Sequence, residues 1–360
     1  MHNKKNTHSN NTHSNNSFKE EHMVRINRWA GVAAGLALAA GLLTACAGGS
    51  EEPADGGDET LTIGYIVAGP FDYYMRGVEG AEAAQEALGV EIVTFNSDNK
   101  PEKEIANVED AIAQGVDGLV IFSVGKSSLT ADLAKAQAAG IPAVVLYGYD
   151  PEIEDQAVAF IQAPADVTGL QAGQWTAENV ESGEVAIIQG ALGRGDAEAY
   201  TAAYEEGIAE NPALSLVATV AADWDRAKAQ AAMADILTAH PALKTVFVMN
   251  EDMALGAVAA IEAAGLGGQV VIVSQNGSPA GIEAVEAGTI SATVAWSPAE
   301  EAQMALARLV SFLRTGDKPA PVLCNTPTVV VTADNVADAA PWIPTAASTE
   351  AGLTAACANG

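Results

Sequence analysis

Histidine and cysteine are scarce in this chain of 360 residues, and their scarcity removes most catalytic chemistry from consideration at the outset. Four of the five histidines fall within the first 22 residues, leaving only His240, beside Pro241 in a helix-ending turn. The three cysteines form no CxxC, and neither HExxH nor GxSxG occurs, so zinc hydrolysis and a serine nucleophile have no support. No catalytic residue, no metal and no cofactor is expected. Basic residues are few as well, 17 Lys and Arg against 46 Asp and Glu, giving a net charge of −29. A nucleic acid or an anionic membrane surface needs a basic face, so neither is an expected partner. No apolar run reaches the roughly 20 residues that a membrane-spanning helix needs.

What the N-terminus does contain is an export pattern. A polar Asn/His/Ser stretch over 1–22 precedes Met23, which reads as the true start; Arg25 and Arg28 then lead into an apolar run over 29–43. Leu43-Thr44-Ala45-Cys46 resembles a bacterial lipobox, which implies cleavage before Cys46 and lipidation of its thiol. The alternative is an ordinary cleaved signal with an incidental cysteine. On the lipobox reading, residues 1–45 are the signal peptide and 46–60 a flexible acidic, Gly-rich tether, holding the protein to the outer face of the cell membrane. Cys324 and Cys357 then remain in a compartment where disulfides persist, and they are expected to pair; two buried free thiols are the alternative.

From Leu61 onward, short β-branched runs alternate with longer Ala-rich amphipathic ones. The runs at 61–67, 90–95, 118–122, 143–147, 158–161, 184–189, 214–220, 245–249, 270–274 and 291–295 read as strands, and 73–88, 101–114 and 226–239 as helices. This alternation predicts an α/β fold with parallel sheets covered by helices on both faces. Ten strands exceed one compact sheet, and the pattern restarts near Ala163-Pro164, so two doubly wound lobes with a cleft between them are expected. The N-terminal lobe takes 61–165 and 297–325, the C-terminal lobe 166–296 and 326–345, and 346–360 is a tail. The chain should cross between lobes near 163–166, 296–298 and 324–325, and these points should form the hinge.

In open sheets of this kind ligands bind beyond the carboxyl ends of the strands. Only 5% of the chain is aromatic, yet rings gather there: Phe71, Tyr73 and Tyr74 after the first strand, Tyr147 and Tyr149 after the fourth, then Tyr200, Trp224 and Trp296. Rings in loops suggest ligand contact rather than core packing, although Tyr149 fits a lobe-edge plug equally well. Asn250, Gln275 and Asn276 add amides that donate and accept at once, which suits a neutral, polyhydroxylated ligand. The loop over 190–195 reads as a wall where backbone approaches the cleft closely.

Several stretches together resemble the type I periplasmic binding proteins, and within them the ribose-binding-like group of sugar importers. They are Asp223-Trp224-Asp225-Arg226 through His240-Pro241, Asn250-Glu251-Asp252-Met253-Ala254-Leu255-Gly256-Ala257, Asn276-Gly277-Ser278-Pro279, and 107–118. The resemblance covers 61–319. It implies that Tyr73 and Tyr74 face Trp224 across the ligand and that Asn250 binds it, with Asn276 in place of a usual Asp and Trp296 in place of a usual Gln. Where ribose-type members carry an Asp-Arg pair and a further Arg, this chain has Tyr147-Gly148 and Tyr200. The resemblance therefore implies a monomeric binding protein that delivers a solute to an ABC permease, with ribose itself disfavoured. The expected pocket is aromatic and weakly charged, suited to a deoxy sugar or a polyol. A quaternary amine in an aromatic cage, or a receptor presenting its ligand to a sensor kinase, is the alternative.

Overall fold

A computed structural model describes residues 60–358 apart from Arg194. The export segment, Cys46 and nearly all of the tether lie outside the described residues. The first lobe opens with β1 (Leu61–Val67), α1 (Asp72–Ala83), α2 (Gln85–Leu88), β2 (Val90–Asn96), α3 (Pro101–Gln114), β3 (Gly118–Phe122), α4 (Lys126–Ala139), β4 (Ala143–Leu146) and β5 (Ala159–Gln162). The second follows with α5 (Ala165–Asn179), β6 (Gly183–Gln189), α6 (Asp196–Ile208), β7 (Leu214–Ala221), α7 (Arg226–Ala239), β8 (Leu243–Val248), α8 (Glu251–Ala263), β9 (Val271–Asn276), α9 (Pro279–Glu286) and β10 (Ala292–Ala295). The chain ends with α10 (Pro298–Thr315), β11 (Leu323–Asn325), β12 (Val329–Val331) and α11 (Ala346–Thr354).

Two six-stranded sheets result, ordered β2-β1-β3-β4-β5-β11 and β7-β6-β8-β9-β10-β12. Every pairing is parallel except β12 on β10. The central strands explain the choice: β3 reads Gly-Leu-Val-Ile-Phe and is buried at every position, as parallel strands covered on both faces must be. Ile187, Phe247 and Val273 anchor one core in the second lobe, while two clusters around Val120 and Ile121 line the opposite faces of the first sheet.

Helix α10 returns the chain to the first lobe. Ser297 caps it, with its Oγ accepting from the Glu300 N–H at 3.3 Å, and Pro298 occupies the first turn, where its missing N–H costs nothing. It lies so close to α1 that a Cβ on Gly80 would stand 2.5 Å from the Ala299 Cα. The helix expected over 73–88 is interrupted at Ala84, whose N–H turns back to the Ala81 carbonyl.

Four segments, rather than the expected three, carry the chain between the lobes. Ala163 and Pro164 join β5 to α5, Trp296 and Ser297 join β10 to α10, and 326–328 join β11 to β12. The fourth passes through Trp342 on the way from β12 to α11, which packs on α10. A disulfide between Cys324 and Cys357, with Cα atoms 4.9 Å apart, closes the covalent loop that contains the last two crossings.

Candidate ligand-binding site

A cavity of about 600 Å³ opens between the lobes at the carboxyl ends of both sheets. Phe71, Tyr73, Tyr74, Tyr147, Tyr200, Trp224, Asn250, Gln275, Asn276 and Trp296 all line it. Tyr149, by contrast, packs edge-on against Phe160 at 5.3 Å, away from the cavity.

The wall from the first lobe is a continuous aromatic surface. Tyr74 meets Phe122 edge-on at 4.6 Å, Phe122 stacks on Tyr147 at 5.1 Å, and Tyr73 joins the same group. The hydroxyls of Tyr73 and Tyr147 turn away from solvent and donate to Glu301 at 2.5 and 3.0 Å. Burial first, and the Glu301 charge second, raise both phenols well above their usual range, so these hydroxyls stay protonated.

The opposing wall is built on strained backbone. Trp224 sits at φ 61° and Asn276 at φ 113°, and Tyr147 across the cleft at φ 64°. Such conformations cost about 1–3 kcal/mol each and persist where the surroundings enforce them. Trp224 is laid flat on Gly190, where a Cβ would stand 2.0 Å from the indole ring. The loop read as a close backbone wall therefore has a specific partner, and beyond it Leu192 and Gly193 border a second hollow of about 320 Å³ that shares Phe71, Tyr74 and Trp224.

The amides are directed by their neighbours. Asn250 caps α8, its Oδ1 accepting from the Met253 N–H at 2.7 Å, which leaves its Nδ2 to donate. Gln275 donates through Nε2 to the Met249 carbonyl at 3.3 Å, and its buried Oε1 has no partner among the described residues. The buried Nε of Arg76, on the first lobe, is likewise unpaired. The cavity so offers the Asn250 amide donor between ring faces, with Gln275 and Asn276 beside it. A ligand with several hydroxyls and apolar C–H faces satisfies that set.

The expectation of a weakly charged pocket needs correction. Asp72, Arg76, Asp196, Arg226, Glu251 and Asp252 also line the cavity. The four acids among them sit in the first turns of α1, α6 and α8, where acids read as complements to the helix dipole. Most are engaged with each other: Arg226 binds Asp252 Oδ1 through Nε and Nη2 at 2.9 and 2.6 Å, and Arg76 bridges Asp72 and Glu79. Glu251 faces inward, its Oε1 accepting from the Gly277 N–H and Thr293 Oγ1 at 2.6 and 2.5 Å, and so fixes the loop that carries Asn276. Burial lifts its pKa to about 7 against these donors. Trp342 is a further unanticipated member, donating from Nε1 to the carbonyls of Trp296 and Asn276 at 2.8 and 3.2 Å.

Residues 63–318 match a family model described as a periplasmic binding protein domain. The ribose import binding protein RbsB of Escherichia coli (strain K12) is 32% identical over 242 residues, spanning 66% of this chain and 79% of that protein. The xylitol-binding protein of Mycolicibacterium smegmatis is 30% identical over 254 residues, 70% and 71% of the two chains. Among solved structures, a Mycobacterium smegmatis protein in complex with β-D-fucofuranose superposes with a TM-score of 0.73 at 28% identity, covering 82% of this chain and 98% of that one.

Proposed function

This chain belongs to the periplasmic binding protein family, the sugar-binding extracytoplasmic components of ABC importers, and from that membership we propose that it captures a deoxy sugar, a polyol or a closely related solute and delivers it to an ABC permease. The observation that carries the reading is the inter-lobe cavity, with ring faces on both sides and the side-chain amides of Asn250, Gln275 and Asn276 in its wall. Rings stack on C–H faces, and the more C–H surface a sugar keeps, the better it fits such walls. Tyr147 and Gly148 standing where ribose-type members place charged groups favours a ligand that does not need a charged bidentate partner for adjacent hydroxyls. The bound fucofuranose of one relative is a 6-deoxy sugar and the xylitol of another is a polyol, the two solute classes named here.

Contacts from both lobes would stabilise a closed state, since a ligand shifts the equilibrium only by its differential affinity for the two forms. The protein acts as a monomeric binder rather than an enzyme. The sequence over 25–46 supports a lipid anchor at Cys46, which would hold it beside its permease. The test is a thermal-shift screen with deoxy sugars, furanose-forming pentoses, xylitol and other polyols, ribose, betaine and choline. A ligand of the native state raises Tm by mass action. A rise with a deoxy sugar or polyol larger than with ribose supports the reading; a rise with betaine or choline alone overturns it.

A further inference from the structure

Each of the four crossing segments is linked to one buried carboxylate. Glu301, in the first turn of α10, is 1% exposed. Its Oε1 accepts from the hydroxyls of Tyr147 and Thr326 at 3.0 and 3.3 Å, and its Oε2 from Tyr73 at 2.5 Å. The backbone N–H of Ala163 is directed at the same carboxylate, and lies 3.4 Å from the Tyr147 hydroxyl. The Tyr73 oxygen in turn accepts from Trp296 Nε1 at 2.8 Å, and the Tyr73 ring meets Trp342 edge-on at 5.4 Å. Ala163, Trp296, Thr326 and Trp342 stand one on each crossing.

The chemistry of this arrangement is one-sided. An ionised carboxylate only accepts, and every group around Glu301 is a donor: Tyr73 from α1, Tyr147 beyond β4, Thr326 beyond β11 and the Ala163 N–H beyond β5. Tyr65 on β1 also faces it, and Glu300 is its acidic neighbour along α10; among the described residues no cation is paired with Glu301. Hydrogen bonds to a charged acceptor are roughly twice as strong as neutral ones. A neutral carboxyl must itself donate from one oxygen, so one of the hydroxyls must turn to accept or give way, and the remaining bonds lose the charge that strengthens them.

We propose that Glu301 is a positioning residue that couples the aromatic wall of the cavity to the hinge, its ionised form holding the crossing segments together and its neutral form releasing them. Burial sets this choice within reach of ordinary conditions, lifting the pKa to about 7 while the four donors resist. A released arrangement that keeps Glu301 buried but loses donors binds its proton more tightly still, so rising pH favours the held arrangement, whereas complete unfolding exposes the group and has the opposite sign. With Glu301 ionised, the hydroxyls of Tyr73 and Tyr147 point into the carboxylate and the cavity receives their ring faces, the surface a sugar stacks upon. The proposal rests on the two-lobed capture reading, but its test needs no ligand. A failed ligand screen and a failed hinge measurement are therefore separate results.

The experiment is hydrogen exchange, read by mass spectrometry on the ligand-free full chain at about pH 6 and about pH 8 and corrected for the intrinsic pH dependence of exchange. In the native protein, peptides containing Ala163, Trp296 and Thr326 should gain protection together at the higher pH, by about tenfold. Glu301→Gln keeps the side-chain shape and cannot ionise, so it should show the low-pH exchange at both values. Tyr73→Phe removes one donor and leaves the carboxylate, so it should move the midpoint upward. A flat profile in the native protein overturns the proposal, as does an unchanged pH difference in Glu301→Gln. If Glu301→Gln does not fold, a midpoint unmoved by Tyr73→Phe is sufficient to overturn it.

Discussion

Trp224 lies on Gly190 so closely that a single added carbon would stand 2.0 Å from its ring. The glycine at the end of β6 and the tryptophan after β7 thus form one unit, in which the backbone of the first presents the face of the second to the cleft. Gly190→Ala should push the indole from its seat and weaken ligand binding almost as much as Trp224→Ala, by about 1–3 kcal/mol. Because Trp224 is half-buried and at the cavity edge, the melting temperature should fall far less than the affinity. Calorimetry and thermal denaturation of the same variant separate the two.

Trp342 is 4% exposed and joins the second and fourth crossings through its bond to the Trp296 carbonyl. Trp342→Ala should cost about 3–5 kcal/mol of stability, the range for truncating a buried large aromatic. Trp342→Phe, which keeps most of the apolar surface and loses the donor, should cost less. Denaturant titration of both variants checks the order.

The acidic interior gives the fold a defined pH dependence. Asp132 on α4 is buried beside Glu104 of α3, and burial, then Glu104, push its pKa up to about 9. The unfolded chain releases that proton near the ordinary Asp value of about 3.9, so the native state binds more protons between about 4 and 9, and stability falls as pH rises through that window. Glu251 and Glu301, each at about 7, add the same sign over its lower half. The native protein should therefore melt at lower temperature near pH 9 than near pH 5. Asp132→Asn, which still donates to Glu104, should flatten the decline above about pH 7.

The disulfide closes a loop with a sequence separation of 33 residues, and Arg308 Nη2 rests 2.7 Å from Cys357 Sγ. Cys357→Ser should lower stability by about 3–4 kcal/mol, the cost of freeing a loop of that length. Reduction of the native protein should lower its melting temperature and leave the variant unmoved.

The lobes were legible because β3 and β4 are short apolar runs with β-branched centres, and β8 is one from Thr245 on, set between longer helical patterns, which needs no tertiary information. Strands β11 and β12 escaped notice because three residues each carry no period. Helix α11, within the stretch read as a tail, is short and Ala-rich and gains its place from packing on α10. The aromatic walls could be found by looking where strands end. Glu301 and Trp342 could not, because their roles come from partners far away in sequence: Tyr73 lies 228 residues before Glu301, and the residues between them have to fold first. The left-handed backbone of Trp224 and Tyr147 likewise leaves no mark in residue type.

The most direct test of sugar capture between the lobes is calorimetric titration of the native chain and of Trp224→Ala with the deoxy sugar or polyol that raises Tm most in the screen. The account predicts saturable binding at one site per chain, weakened about ten- to hundredfold by the substitution. Equal affinity in the two proteins, or binding confined to quaternary amines, would contradict it.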